Sequence, residues 1–195
     1  MPLPLETHRL LIRRFVADDL DDEFEYLSDP DVARYEYWEP FTSREAVREM
    51  AEAQRDVEPG QEARWLELAV VLKREQKGIG NISIKVLSRQ HRLGEVGWIL
   101  SPSYQGYGYA TEAAKAILGF GFDELDLYWI ISFCDVRNAA SYRLMERLGM
   151  HRLAHLKRNK LAKGEWRDEF VYSILAPEWR AARDCPREDD TEPDR

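Results

Sequence analysis

The 195-residue chain has few of the residues that build metal or disulfide frameworks: two cysteines and four histidines. Cys134 lies in an apolar run and Cys185 in a polar tail, so a structural disulfide between them is not expected. Neither cysteine stands at metal-ligand spacing from a partner, and the histidines, at positions 8, 91, 151 and 155, are scattered. No zinc site or other metal is expected. No apolar run approaches the ~20 residues needed to span a bilayer. The opening Met1-Pro2-Leu3-Pro4-Leu5-Glu6 lacks the basic-then-apolar layout of a secretory signal. These absences lead us to expect a cytoplasmic protein without membrane attachment. Positive charge is also short, with 28 Lys and Arg against 36 Asp and Glu, a net −8. Nucleic-acid binding needs clustered cations facing phosphates, so an acidic body argues against it.

Half of that excess sits in residues 184–195, DCPREDDTEPDR, at net −4. A Pro-containing segment nearly free of apolar side chains cannot bury enough surface to offset its ordering entropy. We therefore expect one domain over 1–178 followed by an acidic, disordered tail over 179–195.

What is present alternates in period. Residues 9–16, RLLIRRFV, read as a strand, and Asp18-Asp19 open a helix carrying Leu20, Phe24 and Leu27 until Ser28-Asp29-Pro30 stops it. An aromatic loop, 35–41, leads to a second helix capped by Thr42 or Ser43. Three strands follow at 64–73, 79–87 and 93–100, rich in Val, Ile and Leu. A helix to about residue 122, a strand at 128–136, a helix from Asn138 to Leu148, and strands near 150–158 and 168–175 complete the domain. The order β-α-α-β-β-β-α-β-α-β-β lacks the alternation of a doubly wound nucleotide fold. It predicts an α/β fold of the α+β type, with a mixed, mostly antiparallel sheet of about seven strands and one parallel crossover.

Ahead of that crossover helix lies Pro102-Ser103-Tyr104-Gln105-Gly106-Tyr107-Gly108-Tyr109-Ala110-Thr111. A helix N-terminus carries unpaired N–H groups and the positive end of the helix dipole, and glycines let a diphosphate approach such a backbone. Gly106 and Gly108 would serve a phosphate cradle or, equally, a plain strand-to-helix turn. A dinucleotide fingerprint is disfavoured by Thr111 at its third glycine, and a P-loop by the absence of Gly-Lys-Ser/Thr.

Gln105-x-x-Gly108-x-Ala110 resembles the coenzyme A pyrophosphate loop of the GNAT superfamily of acyl-CoA N-acyltransferases. Further blocks agree in order: Thr7-x-Arg9-Leu10, the strand Gly94 to Leu100, and Tyr109 to Ala113. The run Asn138-Ala139-Ala140-Ser141-Tyr142-Arg143-Leu144-Met145, closing on Leu148-Gly149-Met150, and Gly164 to Asp168 complete the set. Together they resemble the RimJ/RimL-like, ribosomal-protein N-acetyltransferase-like branch over roughly residues 5–177.

The resemblance implies a GNAT fold whose fourth and fifth strands splay apart, with acetyl-CoA as co-substrate lying between them. A chain of amides can pair with exposed strand backbone as another strand would. Trp98, Ile99 and Leu100 would supply that backbone, and Gln105, Gly106, Tyr107, Gly108, Tyr109, Ala110 and Thr111 the phosphate loop. Asn138 and Ser141 would sit beside the thioester arm. Glu95, a carboxylate in an otherwise apolar strand, is the candidate base for the incoming amine, and Ser141 a candidate partner of the sulfur. Many relatives carry a Tyr immediately after the Leu of the Asn138 motif; here that position is Met145, which removes the usual acid. The acceptor pocket would include Tyr35 and Trp38, with Glu95 beside them, in an acidic and aromatic region suited to a cationic amine. The implied activity is direct acetyl transfer to a primary amine, either a protein N-terminus or a small cationic amine, by a monomer or homodimer. The alternative is a non-catalytic acyl-CoA-binding sensor.

Overall fold

The structure, a computed structural model, describes residues 3–184. Its strands are β1 (Leu5–Glu6), β2 (Leu10–Arg13), β3 (Trp65–Leu72), β4 (Lys77–Ser88), β5 (Leu93–Leu100), β6 (Trp129–Asp135), β7 (His151–Ala162) and β8 (Glu165–Leu175). Its α-helices are α1 (Leu20–Leu27), α2 (Pro30–Ala33), α3 (Arg44–Ala53), α4 (Tyr109–Asp123), α5 (Ala139–Arg147) and α6 (Ala176–Asp184). The strands form one sheet in the order β1-β2-β3-β4-β5-β6-β8-β7. Every neighbouring pair is antiparallel except β5 with β6, which α4 links as the single parallel crossover. The expected class therefore holds. The eighth strand is the two-residue β1, which pairs Leu5 with Ile12 and Glu6 with Leu11.

Several expected boundaries move for local reasons. The first strand stops at Arg13 because its guanidinium turns to Asp19 at 2.6 and 2.8 Å, drawing the chain into a 3-10 turn over Ala17–Asp19. Ser28-Asp29-Pro30 does end α1, but it also starts α2. Asp29 accepts the Asp31 N–H at 2.8 Å, and Pro30 occupies the first turn, where its missing N–H costs nothing. The final hairpin runs longer than expected, up to a tight turn at Lys163-Gly164.

Alternation along the central strands separates two layers. Leu66, Leu68, Ile82, Ile84 and Val96 are buried in the main core together with Ala113, Ala114, Ile117 and Leu118 of α4. On the other face Tyr26, Leu27 and Val47 of α1 and α3 form a second cluster, with Ile99, Trp38, Phe41 and Met50 against it. Each fully buried aliphatic side chain contributes about 1.5–3 kcal/mol. The two layers thus hold α4 and the α1–α3 region on opposite sides of β5.

The expected boundary at residue 178 falls inside α6. Trp179 is buried, its ring 6.1 Å from that of Phe122, and Arg183 binds Asp123 at 2.7 Å. The Trp179 indole and the Arg183 ion pair hold this segment against the end of α4. Residues 185–195 of the expected tail lie outside the described residues. Among the described residues no helix is long and apolar enough to cross a membrane.

Candidate active site

The parallel ladder between β5 and β6 is short: Leu93 with Trp129, Gly94 with Ile130, Glu95 with Ile131. Beyond Glu95 the two strands part. At the point of divergence the buried Ser132 hydroxyl donates to the Val96 carbonyl at 2.9 Å, replacing the next rung with a side chain. On its other edge β5 stays paired with β4 as far as Leu100, so the strand remains extended while one edge opens. A cleft of about 1070 Å³ follows the opening, from the α1–α3 region past the fork to the start of α4.

Glycine conformations shape one end of that cleft. Gly106 and Gly108 have φ of +84° and +81°, a region where a side chain is strained, and Gly108 is the N-cap of α4. The first bond of α4 runs from the Glu112 N–H to the Gly108 carbonyl at 3.0 Å, so the amides of Tyr109, Ala110 and Thr111 precede the helical ladder. Gln105 anchors the loop by donating to the Leu100 carbonyl at 3.1 Å, which ties it to the end of β5.

A second anchor comes from the turn between β1 and β2. Glu112 accepts from the Thr7 hydroxyl at 2.6 Å, the Arg9 amide at 2.8 Å and Arg9 Nε at 2.6 Å. Arg9 also donates to the Tyr107 carbonyl at 2.9 Å and lies 4.4 Å from the Tyr109 ring centroid. An acid in the first turn of α4 would oppose a bound anion; here its charge is met by arginine. Burial pushes Glu112 upward, but the Thr7 and Arg9 hydrogen bonds and the Arg9 charge outweigh it and hold the carboxyl below its ordinary value.

The other end of the cleft is a polar sheet face. Registers Trp65 with Lys85, Lys85 with Glu95, Glu67 with Ser83 and Ser83 with Gly97 place alternate residues of β3, β4 and β5 in rows. Lys85 binds Glu95 at 2.9 Å and stacks 4.2 Å from the Trp65 centroid. Asn81 donates to Glu67 at 3.3 Å, while its own Oδ1 is buried without a partner. Burial lifts Glu67 above the usual carboxylate range, partly offset by Asn81. Glu36 is lifted by burial too, against the pull of Lys160, Lys163 and Arg167.

Beside the fork, Asn138 caps α5 by accepting the Ser141 N–H at 3.1 Å. Ser141 stands near Cys134, whose thiol is pushed up to about 12 chiefly by burial. Met145 is fully buried in the main core and Tyr142 packs 5.8 Å from Phe170; neither lines the cleft. Ser141 is therefore the hydroxyl that α5 offers there.

The cleft gathers Tyr35, Trp38, Glu95, Trp98, Ile99, Leu100, Gln105, Gly106, Gly108, Tyr109, Ala110, Thr111, Asn138 and Ser141. Tyr107 is the exception: its ring is 64% exposed, stacks on Tyr109 at 5.9 Å, and lies outside the lining. Trp98 and Leu100 turn their side chains to the main core, leaving backbone at the open edge. Glu95 does not stand alone on an apolar strand, because β4 brings Lys85 to it. Glu67, Asn81, Lys85, Ser132 and Glu169 line the same cleft without having been singled out from the sequence. For β3 and β4 the signal was available in the odd-numbered polar residues of otherwise apolar strands; for Ser132 it was a lone hydroxyl in an apolar run.

The Acetyltransferase (GNAT) domain model matches residues 9–151. YnaD of Bacillus subtilis, an uncharacterized N-acetyltransferase, is 38% identical over 175 residues, 90% of this chain and 98% of the relative. The spermidine N(1)-acetyltransferase of Escherichia coli is 26% identical over 180 residues, 92% of each chain. Among solved structures, an acetyltransferase of the GNAT family from Bacillus anthracis matches with a TM-score of 0.79 at 35% identity, over 90% of this chain and 99% of that one.

Proposed function

Because the chain belongs to the GNAT acetyltransferase family, we propose that the cleft joins acetyl-CoA to a positively charged primary amine and transfers the acetyl group directly between them. The observation that carries this reading is the continuity of the opening. An unpaired edge of β5 lies between an amide-lined loop at one end and an acid-lined sheet face at the other. The residues fit the co-substrate. The α4 amides and the paired glycines would hold its diphosphate, and the β5 backbone beyond Glu95 would pair with its amide arm.

The acceptor would enter on the face of Glu67, Asn81 and Glu95, with Tyr35 and Trp38 closing over it. The orphaned Asn81 Oδ1 is suited to an ammonium or amide N–H, and acids there favour a cation. Glu95, last residue of the paired ladder, would take the amine proton directly or through water, and Ser141 would hydrogen-bond the sulfur as it leaves. Holding both substrates in one cleft supplies much of the acceleration by orientation. A small amine is supported by the acid-bearing polar face of the cleft and by the name of the Escherichia coli relative.

The test is thiol release from acetyl-CoA against a panel of small amines and N-terminal peptides. Glu95→Gln should lower kcat by about 10²-fold at pH 7 while acetyl-CoA binding persists. An unchanged kcat would remove Glu95 from the chemistry. No turnover on the whole panel with coenzyme binding intact would favour the sensor.

A further inference from the structure

Glu67 also lines a second cavity, of about 250 Å³, which shares no other residue with the cleft. The cavity lies among the segment after β2, the start of α1 and the C-terminal half of α3. Phe15, Leu20 and Ala51 give it apolar walls, and Glu23, only 3% exposed, lines it from α1. Two residues of this lining, Glu23 and Gln54, each carry a buried Oε1 with no hydrogen-bond partner. Buried polar atoms are rarely left so, and two such residues on one cavity point to a missing partner.

The cations nearby do not answer that need. Arg13 is taken by Asp19 at 2.6 and 2.8 Å. Arg14 is spent on the carbonyls of Gln54, Arg55 and Val57 at 3.3, 3.3 and 2.7 Å. Arg48 pairs with Glu45 on the outer surface of α3. The groups acting on Glu23 are anionic, Asp19 before α1 and Glu67 on β3, with the buried Tyr26 phenol also near it.

We propose that this cavity is a second ligand site, which takes a small primary monoamine with a short alkyl chain. Its ammonium donates to Glu23 Oε1 and Gln54 Oε1, and its chain lies along Phe15, Leu20 and Ala51. Arg14 and Arg55 line the same cavity, and Arg14 keeps its charge although carbonyls take its donors, so a ligand with a second positive charge is disfavoured, Glu52 offsetting only one of the two. The site lies outside the acetyl-transfer cleft and does not depend on that reading.

Binding is linked to a proton. Burial first, then the charges of Asp19 and Glu67, raise the Glu23 carboxyl to about 8, so near pH 7 it is mostly protonated in the free protein. An ammonium selects the ionised form and sends that proton to solvent. Affinity should therefore rise about tenfold between pH 7 and pH 9, with close to one proton released per ligand at pH 7.

The experiment is calorimetric titration of the full chain with butylammonium at pH 7 in two buffers of different ionisation enthalpy. A binding event with proton release is expected, separate from any occupancy of the acetyl-transfer cleft, and 1,4-diaminobutane should bind more weakly at this site. Glu23→Gln should cost at least tenfold in affinity and abolish the proton release. Ala51→Leu, which fills the wall without touching Glu23, should also cost at least tenfold. Circular dichroism and the thermal transition verify that both variants are folded. No binding to the wild type, binding without proton release, or proton-linked binding that survives both substitutions would overturn the proposal.

Discussion

Replacing Glu112 by Gln tests whether the β1–β2 turn holds the glycine loop before α4 in place. The carboxylate receives three donors within 2.6–2.8 Å, and its side chain is 18% exposed against 38% for Arg9. Glutamine keeps one acceptor for Thr7 and the Arg9 amide, but it removes the charge and can turn its NH₂ toward Arg9 Nε. A charge-assisted hydrogen bond is worth about 1.5–3 kcal/mol, and partial exposure of Arg9 argues for the lower part of that range. We expect a loss of about 2 kcal/mol, or about 4–8 °C in Tm for a domain of this size. The loss has a defined pH signature. Because the folded carboxyl titrates below its unfolded value, near 4.3, its contribution is complete above that value and disappears as pH falls through the folded one. The gap between wild type and variant, read from urea unfolding, should be widest near neutrality and narrow steadily below about pH 4. In the same variant KM for acetyl-CoA should rise about three- to tenfold with a smaller change in kcat, since Arg9 no longer holds the Tyr107 carbonyl as firmly. A gap under about 0.5 kcal/mol at pH 7, or one that persists undiminished in acid, would refute the tether.

Three further outcomes follow from named contacts. Gly108→Ala places a side chain at a φ of +81°, at a cost of about 1–2 kcal/mol, and should weaken coenzyme binding about tenfold by calorimetry. Ser132→Ala removes the hydroxyl that caps the fork and leaves the Val96 carbonyl unpaired; a destabilisation of about 1–2 kcal/mol in urea is expected, with a higher KM for acetyl-CoA. Trp179→Ala removes the indole packed on Phe122 and should cost about 3 kcal/mol, whereas a change near zero would return α6 to the tail.

Much of this molecule can be read without coordinates, because the signals involved are local. The strand at 93–100, the caps Ser43 and Asn138, and the glycines ahead of α4 depend on propensity, capping and backbone freedom within a few residues. The loop motif placed its residues in one cleft, apart from Tyr107, whose exposed ring no local pattern distinguishes from that of Tyr109. Boundaries were legible only where no distant partner intervened. The first strand ends early because of Asp19, and α6 runs past residue 178 with Trp179 packed on Phe122.

The partnership of strands is a different kind of information. That Lys85 would meet Glu95, that Glu67 and Asn81 would share a face with it, and that β6 would leave β5 after three rungs are consequences of register. Register depends on how the whole sheet buries one face and exposes the other. Local sequence set the class of fold and the amide-lined loop, and it named residues between 95 and 141 that line one cleft. Tertiary structure alone decided which charges are neutralised and which buried acceptors are left open, because those outcomes depend on side chains dozens of residues apart meeting in a low-dielectric interior.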